Sequence, residues 1–226
     1  MKLYIGNKNY SSWSLRPWLL MQELALPFEE HLVPFEDEGT YARFRAFSPT
    51  GRVPCLHDGD VVVWDSLAIA EYLAERHPEV WPAAASARAF ARCAAAEMHA
   101  GFSALRSECP MSCGVRARLT EVTAGLTKDL ARLEELWGEG LRRFGGPFLG
   151  GETFTAVDAF FAPVAFRAQT YALALSDAAA RYVATLLARP GMQRWYAAAL
   201  QERWRDAHDE RPPHATLIED LRAPPR

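Results

Sequence analysis

The sequence predicts an α+β chain in two parts. A small mixed sheet with helices on both sides occupies residues 1–76, and an all-α segment occupies 86–226. Three observations predict it. Short β-rich runs and helical runs alternate up to about residue 76. The strongest hairpin signal in the chain, Val53–His57, Asp58-Gly59-Asp60 and Val61–Trp64, falls inside that region. After residue 85 the pattern is helical throughout, in Ala- and Arg-rich stretches.

Lys2–Gly6 reads as a first strand and Asn7–Trp13 as a polar loop. Ser14–Ala25 reads as a helix, with Ser14 as its cap and Pro17 in the first turn, where a missing N–H costs little. Leu26-Pro27 ends it, and Phe28–Val33 is a second strand. Glu36–Phe47 reads as irregular or weakly helical. After the hairpin, Asp65-Ser66 caps a helix from Leu67 to about Arg76. The order is βαβαββα. His77–Ala85, with two prolines, reads as a linker. Helices are expected over 86–108, 115–140, 155–171, 177–188 and 191–206, with a loose Pro-rich tail from Arg211.

Composition narrows the function. Half of the 226 residues are apolar and 23% are charged, enough for a packed core. Lys and Arg number 25 against 28 Asp and Glu, a net charge of −3, whereas nucleic-acid binders usually show a basic excess. Residues 1–80 hold 7 basic and 12 acidic side chains, and 81–226 hold 18 and 16. The longest apolar stretch, Ala159–Phe166, has 8 residues, and a membrane-spanning helix needs about 20. The N-terminus lacks a secretory pattern, so the four cysteines at 55, 93, 109 and 113 read as reduced thiols of a cytoplasmic protein. Cys109 and Cys113 with His99 lack a fourth metal ligand at a sensible spacing, so no metal is expected.

In a thioredoxin-like arrangement the reactive loop follows the first strand and opens the first helix. Here it is Asn9-Tyr10-Ser11-Ser12-Trp13-Ser14-Leu15-Arg16, with three serines and no cysteine, so dithiol chemistry is excluded at this position. The plain reading of such serines is turn and cap residues. Pro54 at the start of a strand cannot donate to a ladder, and a cis Val53–Pro54 bond would leave the Val53 backbone free for an extended peptide ligand. Asp65-Ser66 at a helix start is an ordinary cap, or else a cradle for a carboxylate and an ammonium.

Taken together, four segments resemble the soluble glutathione transferases, and most closely their zeta (maleylacetoacetate isomerase-like) class. They are Ser11-Ser12-Trp13-Ser14-x-Arg16, Pro49-x-x-Arg52-Val53-Pro54-x-Leu56, Ser66 to Leu73, and Phe148-Leu149-Gly150-Gly151-x-x-Phe154-Thr155-x-x-Asp158. The zeta pattern has Cys in place of Trp13 and Gln in place of Arg52 and Asp65.

The resemblance implies a glutathione-binding domain at 1–76, a linker at 77–85 and a helical domain carrying the electrophile site at 86–226. It implies glutathione as co-substrate, a homodimer, and a buried capping box of Thr155 and Asp158 that nucleates a central helix. Ser11, with Ser12 as the second choice, would donate a hydrogen bond to the glutathione sulfur. Val53, with cis Pro54, would pair with the cysteinyl backbone. Asp65 and Ser66 would hold the γ-glutamyl end, and Arg52 or Arg16 could meet a carboxylate. The electrophile would sit among Trp13, His99, Phe102, Arg106 and Cys109, with His99, Phe102 and Arg106 sharing a helix face. Conjugation of small electrophiles is the expected reaction. The alternatives are cis-trans isomerisation of a maleyl-type diacid and a non-catalytic binding module of the same fold.

Overall fold

The computed structural model describes residues 1–35, 39–205, 212 and 214–224. Four strands, β1 (Lys2–Ile5), β2 (Glu29–Leu32), β3 (Cys55–Asp58) and β4 (Val61–Trp64), form one sheet in the order β2-β1-β3-β4. β1 runs parallel to β2, with Lys2 opposite Glu29. β1 is antiparallel to β3, with Tyr4 opposite Cys55. β3 turns into β4 through Gly59-Asp60, which leaves Asp58 opposite Val61. Gly59 has φ +59°, the backbone such a two-residue turn requires.

The alternation along β1 sorts the two faces of the sheet. Leu3 and Ile5 are fully buried, each contributing about 1.5–3 kcal/mol of apolar burial. Tyr4 points the other way and stacks on His31 and Phe47, at 4.9 and 4.3 Å between ring centres. Phe47 closes the short helix α2 (Thr40–Arg45), which lies in the stretch expected to be weakly helical; residues 36–38 of that stretch lie outside the described residues.

Helix α1 (Ser12–Glu23) starts two residues earlier than expected. Ser11 is its cap, with Oγ accepting from Ser14 N–H, and Ser14 is buried inside, its Oγ accepting from Gly6 N–H at 3.2 Å. Pro17 therefore sits past the first turn, where the Trp13 carbonyl loses its helical donor. α3 (Ser66–Ala74) is capped by Asp65, as expected.

The helical half contains α4 (Ala85–Ala100), α5 (Ser103–Glu108), α6 (Ala124–Phe144), α7 (Ala156–Tyr171), α8 (Asp177–Leu187) and α9 (Pro190–Gln201). α7 is buried along nearly its whole length and packs against α1, α4 and α8. It starts at the Thr155–Asp158 capping box. No described helix is long and apolar enough to cross a membrane.

Three expectations need correction. The run 86–108 is not one helix: Gly101-Phe102 breaks it, with Phe102 at φ +58°. The segment opening at 115 is not helix but a strand, β5 (Val115–Leu119). Its partner is antiparallel β6 (Ala215–Asp220), so the tail read as loose is ordered there. Arg211 and Pro213 lie outside the described residues. In both strands long-range pairing overrode a local pattern that carried no hairpin signal.

Candidate functional site

The serine loop, the Val53–Pro54 turn and the start of α3 open onto one cleft with two lobes. The first lobe, about 780 Å³, is lined by Tyr10, Ser11, Ser12, Arg106, Met111 and Arg167 among others. The second, about 590 Å³, is lined by Pro49, Pro54, Trp64, Asp65 and Ser66. Trp13, Tyr41, Arg52 and Val53 line both and form the partition between them.

Each wall has a local cause. The Val53–Pro54 peptide is cis, and among the described residues neither the N–H nor the C=O of Val53 has a hydrogen-bond partner. Gly51 holds φ +66°, and a Cβ there would lie 2.5 Å from the Tyr41 ring, so only glycine fits. Asp65 takes φ +76°, a backbone strain of about 1–3 kcal/mol that is typical of ligand sites. Its Oδ1 accepts from Leu67 N–H at 2.8 Å, and its Oδ2 lies 3.4 Å from His99 Nε2. Ser66 is 1% exposed, and its Oγ is buried without a partner among the described residues. A buried unpaired hydroxyl costs about 1–3 kcal/mol, so a hydroxyl at the N-terminus of α3 without a protein acceptor is suited to an anionic ligand.

The two candidate donor serines differ. Ser11 Oγ donates to Ser14 Oγ at 2.7 Å, which joins it to Gly6 N–H through Ser14. Ser12 Oγ has no partner among the described residues, although the residue is only 6% exposed.

Behind the partition is a cationic stack. Trp13 lies 4.3 Å from the Arg16 guanidinium carbon and 4.7 Å from that of Arg106, with the His99 ring edge-on at 5.1 Å. Arg16 is 1% exposed, and its Nε and Nη1 lack partners. Among the described residues it makes no ion pair; it stacks on Trp13 and, at 4.9 Å, on Phe160. Burial first, then repulsion from Arg106 and Arg167, lowers its pKa well below the ordinary guanidinium value. Burial likewise lowers His99, against the pull of Asp65. Arg106 also donates to the carbonyls of Gly101 and His99 at the end of α4.

The residues proposed from sequence thus divide. Ser11, Ser12, Arg52, Val53, Pro54, Asp65, Ser66, Trp13 and Arg106 line the cleft. His99 stands behind it, against Trp13 and Asp65. Phe102, 6% exposed, occupies the break between α4 and α5, so it shares no continuous helix face with His99 and Arg106. Cys109 is fully buried, and burial pushes its thiol up to about 12, which leaves it unreactive. Among the described residues no three His, Cys, Asp or Glu side chains gather as a metal site.

Sequence reasoning missed Tyr10, Tyr41, Met111 and Arg167. Only Arg167 carried a signal, a single charge directly following the buried apolar run of α7.

Two family profiles match the chain: the glutathione S-transferase N-terminal domain over residues 10–76 and the C-terminal domain over 116–198. The glutathione S-transferase DHAR2 of Arabidopsis thaliana is 30% identical over 67% of this chain and 63% of its own length. A dichloromethane dehalogenase of Methylorubrum extorquens is 45% identical over 25% of this chain and 20% of its own length. The chain therefore spans less than two thirds of either relative. Among solved structures, a bacterial zeta-class maleylpyruvate isomerase superposes with a TM-score of 0.68 at 23% identity, covering 88% of this chain and 98% of that one. A glutathione transferase homologue from Burkholderia gl BGR1, with bound glutathione, gives 0.67 at 24% identity over 88% and 97%. With the N-terminal sheet, the helical second half and both matched domains in agreement, the chain belongs to the soluble glutathione S-transferase superfamily.

Proposed function

We propose that the cleft binds glutathione and that a serine hydroxyl, from Ser11 or Ser12, holds its sulfur as the thiolate for attack on a small electrophile. The observation that carries this is the alignment of three unused polar groups along one cleft: Ser12 Oγ, the Val53 backbone and Ser66 Oγ. An extended γ-glutamyl tripeptide offers a thiol, a peptide unit and an α-carboxylate in that order. Asp65 would face the ammonium, and Arg52, exposed on the partition, would meet the glycyl carboxylate. Residues 1–76 then hold glutathione, and the helical half supplies the electrophile lobe.

The chemistry asks for a modest shift. A thiol of pKa near 8.5 is about 3% ionised at pH 7. Lowering it two units raises that to about 75%, a stabilisation of roughly 2.7 kcal/mol. A placed hydroxyl and the N-terminus of α1 can supply that much. The thiol proton leaves to solvent, the sulfur pair forms the new C–S bond, and the leaving group departs with its bonding electrons. A lower pKa also makes the thiolate less nucleophilic, which caps the useful shift.

Calorimetric titration with glutathione, followed by turnover of a chlorodinitrobenzene, tests the reading. Wild type should bind and turn over, and Ser66→Ala should weaken binding about tenfold or more, the loss of a hydrogen bond to a charged group. Absence of glutathione binding ends the proposal. Tight binding without turnover on any electrophile would support the non-catalytic module instead.

A second reading, cis-trans isomerisation of a maleyl-type diacid, is favoured by Arg106 and Arg167 in the electrophile lobe. In it the thiolate adds to the double bond, the single bond so formed rotates, and elimination releases the thiolate. A maleyl diacid should then exceed its dimethyl ester in kcat/KM by at least tenfold, and equal values reject this reading. The resemblance further implies a cytoplasmic homodimer, for which light scattering of the purified chain is the measurement.

A further inference from the structure

The loop ahead of the donor serines is held by residues almost two hundred positions away. The Glu202 carboxylate, just past α9, accepts from Lys8 N–H at 2.6 Å and Asn9 N–H at 3.0 Å. Asn9 Nδ2 donates to the Ala199 carbonyl at 2.6 Å, and Trp195 Nε1 donates to the Lys8 carbonyl at 2.8 Å. These bonds fix Lys8 and Asn9. The next residue, Tyr10, is 5% exposed, lines the first lobe and directly precedes Ser11.

Tyr10 is met from another direction. Its hydroxyl accepts from Arg222 Nη1 at 2.7 Å. Arg222 follows β6, and its side chain is only 3% exposed. The rest of the guanidinium forks onto Asp220, with Nε to Oδ1 at 2.8 Å and Nη2 to Oδ2 at 2.7 Å. On either side, Leu221 N–H donates to the Gly114 carbonyl and Ala223 N–H to the Leu200 carbonyl, at 2.9 and 2.7 Å. Gly114 leaves the space the arginine needs, since a Cβ there would lie 2.2 Å from Arg222 Cγ.

The arm is built the wrong way round for a stabilising strand. Leu217 and Ile218 are each 57% exposed and Leu221 39%, so its large apolar side chains face out, and only the small Ala215 packs against the core. What it buries is a charged side chain, forked and aimed at the loop. Burying a cation at that place makes physical sense when its position matters, because a guanidinium held by a bidentate carboxylate is a rigid donor.

We propose that the C-terminal arm, residues 215–223, is a working part of the cleft, with Arg222 as a positioning residue that sets the donor serines through Tyr10. The catalytic part of this proposal rests on the glutathione reading above; the positioning part does not. A displacement near 1 Å of a group that meets the reacting atom can cost about 10²-fold in rate. The groups assigned to the rest of glutathione, Val53, Asp65 and Ser66, lie on other elements and stay in place.

Arg222→Ala is therefore expected to lower kcat ten- to a hundredfold while changing the KM for glutathione less than threefold. The bound thiol, followed by thiolate absorbance against pH, should titrate closer to free glutathione. Tyr10→Phe should reproduce the loss, the double variant should be no worse than either single one, and Arg222→Lys, which keeps one donor for Tyr10, should recover part of it. Gly114→Ala, which pushes on Arg222 from outside the cleft, should act in the same direction. Amide hydrogen exchange should quicken at residues 10–13 and stay unchanged at Lys8, Asn9 and in α7. Unchanged kcat, thiol titration and loop exchange in Arg222→Ala would overturn the proposal, as would faster exchange spread over the whole fold. If wild type neither binds nor turns over glutathione, the glutathione reading falls, and exchange at 10–13 alone decides the positioning role.

Discussion

Asp158→Ala should cost the fold about 3–5 kcal/mol, the upper range for one substitution. The carboxylate accepts from Leu149 N–H at 3.0 Å, Thr155 N–H at 2.9 Å and Tyr182 O–H at 2.9 Å, and it is fully buried. Alanine strands these three donors, together with Thr155 Oγ1–H, which donates to Oδ2 at 3.4 Å, where water does not reach, at about 1–3 kcal/mol each before relaxation. It also opens the first turn of α7, against which α1, α4 and α8 pack, so the loss is shared by both halves of the chain. At roughly 2–4 °C per kcal/mol for a chain of this size, the melting temperature should fall by about 10 °C. Calorimetric melting checks it, and a fall under 3 °C would show that the box is not the keystone of α7. The pH dependence adds a second signature. Burial outweighs the hydrogen bonds and pushes the Asp158 pKa up to about 6, from an unfolded value near 3.9. The folded state therefore binds more protons across that window. The contribution of this group is complete below about pH 4 and is lost as the pH rises through 6, by roughly 3 kcal/mol. In Asp158→Asn that decline vanishes. The stability gap between wild type and Asp158→Asn should thus be wider at pH 4 than at pH 7, and urea unfolding at both pH values measures it.

The strength of that box explains why it could be read from the sequence, and the same logic explains what could not. Thr155 and Asp158 announce themselves because a capping box is local, with donor and acceptor three residues apart. The Asp58–Val61 hairpin and the Asp65 cap are local in the same sense. The break at Gly101-Phe102 was hidden because Phe102 has no intrinsic preference for φ +58°; the conformation is imposed by packing, with Arg106 bonding back to the end of α4. The β5–β6 ribbon was hidden because it joins residues about a hundred apart, and a pairing of five residues at that distance leaves no periodic trace. The site divides along the same line. Ser11, Ser12, Val53, Pro54, Asp65 and Ser66 sit in short motifs that carry their own geometry. Arg16 could be named from the sequence as a carboxylate partner, but its stacking on Trp13 and Phe160 and its nearness to Arg106 and Arg167 depend on which side chains reach it from α5 and α7, which sequence spacing does not state. Tyr10 is the sharpest case, adjacent to the motif in sequence yet met by an arginine 212 residues later.

Replacing the donor serine should lower kcat/KM by about 10²-fold, the scale of removing one placed donor from a developing or resident anion. Affinity for glutathione should change little, because Val53 and Ser66 carry the rest of the tripeptide in this reading. The two serines give different signatures. Ser12 Oγ has no partner among the described residues, so Ser12→Ala should leave stability within about 0.5 kcal/mol of wild type, and in the proposed reading it removes only a contact to the ligand. Ser11 Oγ caps α1 and is bonded to Ser14, so Ser11→Ala should cost about 1 kcal/mol of stability whatever it does to the rate. Ser11 can still serve the sulfur: a thiolate draws its proton, and the Ser14 hydroxyl, whose lone pair receives Gly6 N–H, turns to donate to Ser11 in exchange. A rate loss confined to Ser12→Ala assigns the donor to the free hydroxyl. A loss in Ser11→Ala, matched by Ser14→Ala, assigns it to the relay, since Ser14 touches the sulfur in neither case. In either outcome the kinetic pKa of the affected variant should rise toward that of free glutathione, and the double variant should fall no further than the worse single one. Three proteins of equal rate and equal pKa would leave the α1 N-terminus as the whole source of thiol activation and remove serine from the chemistry.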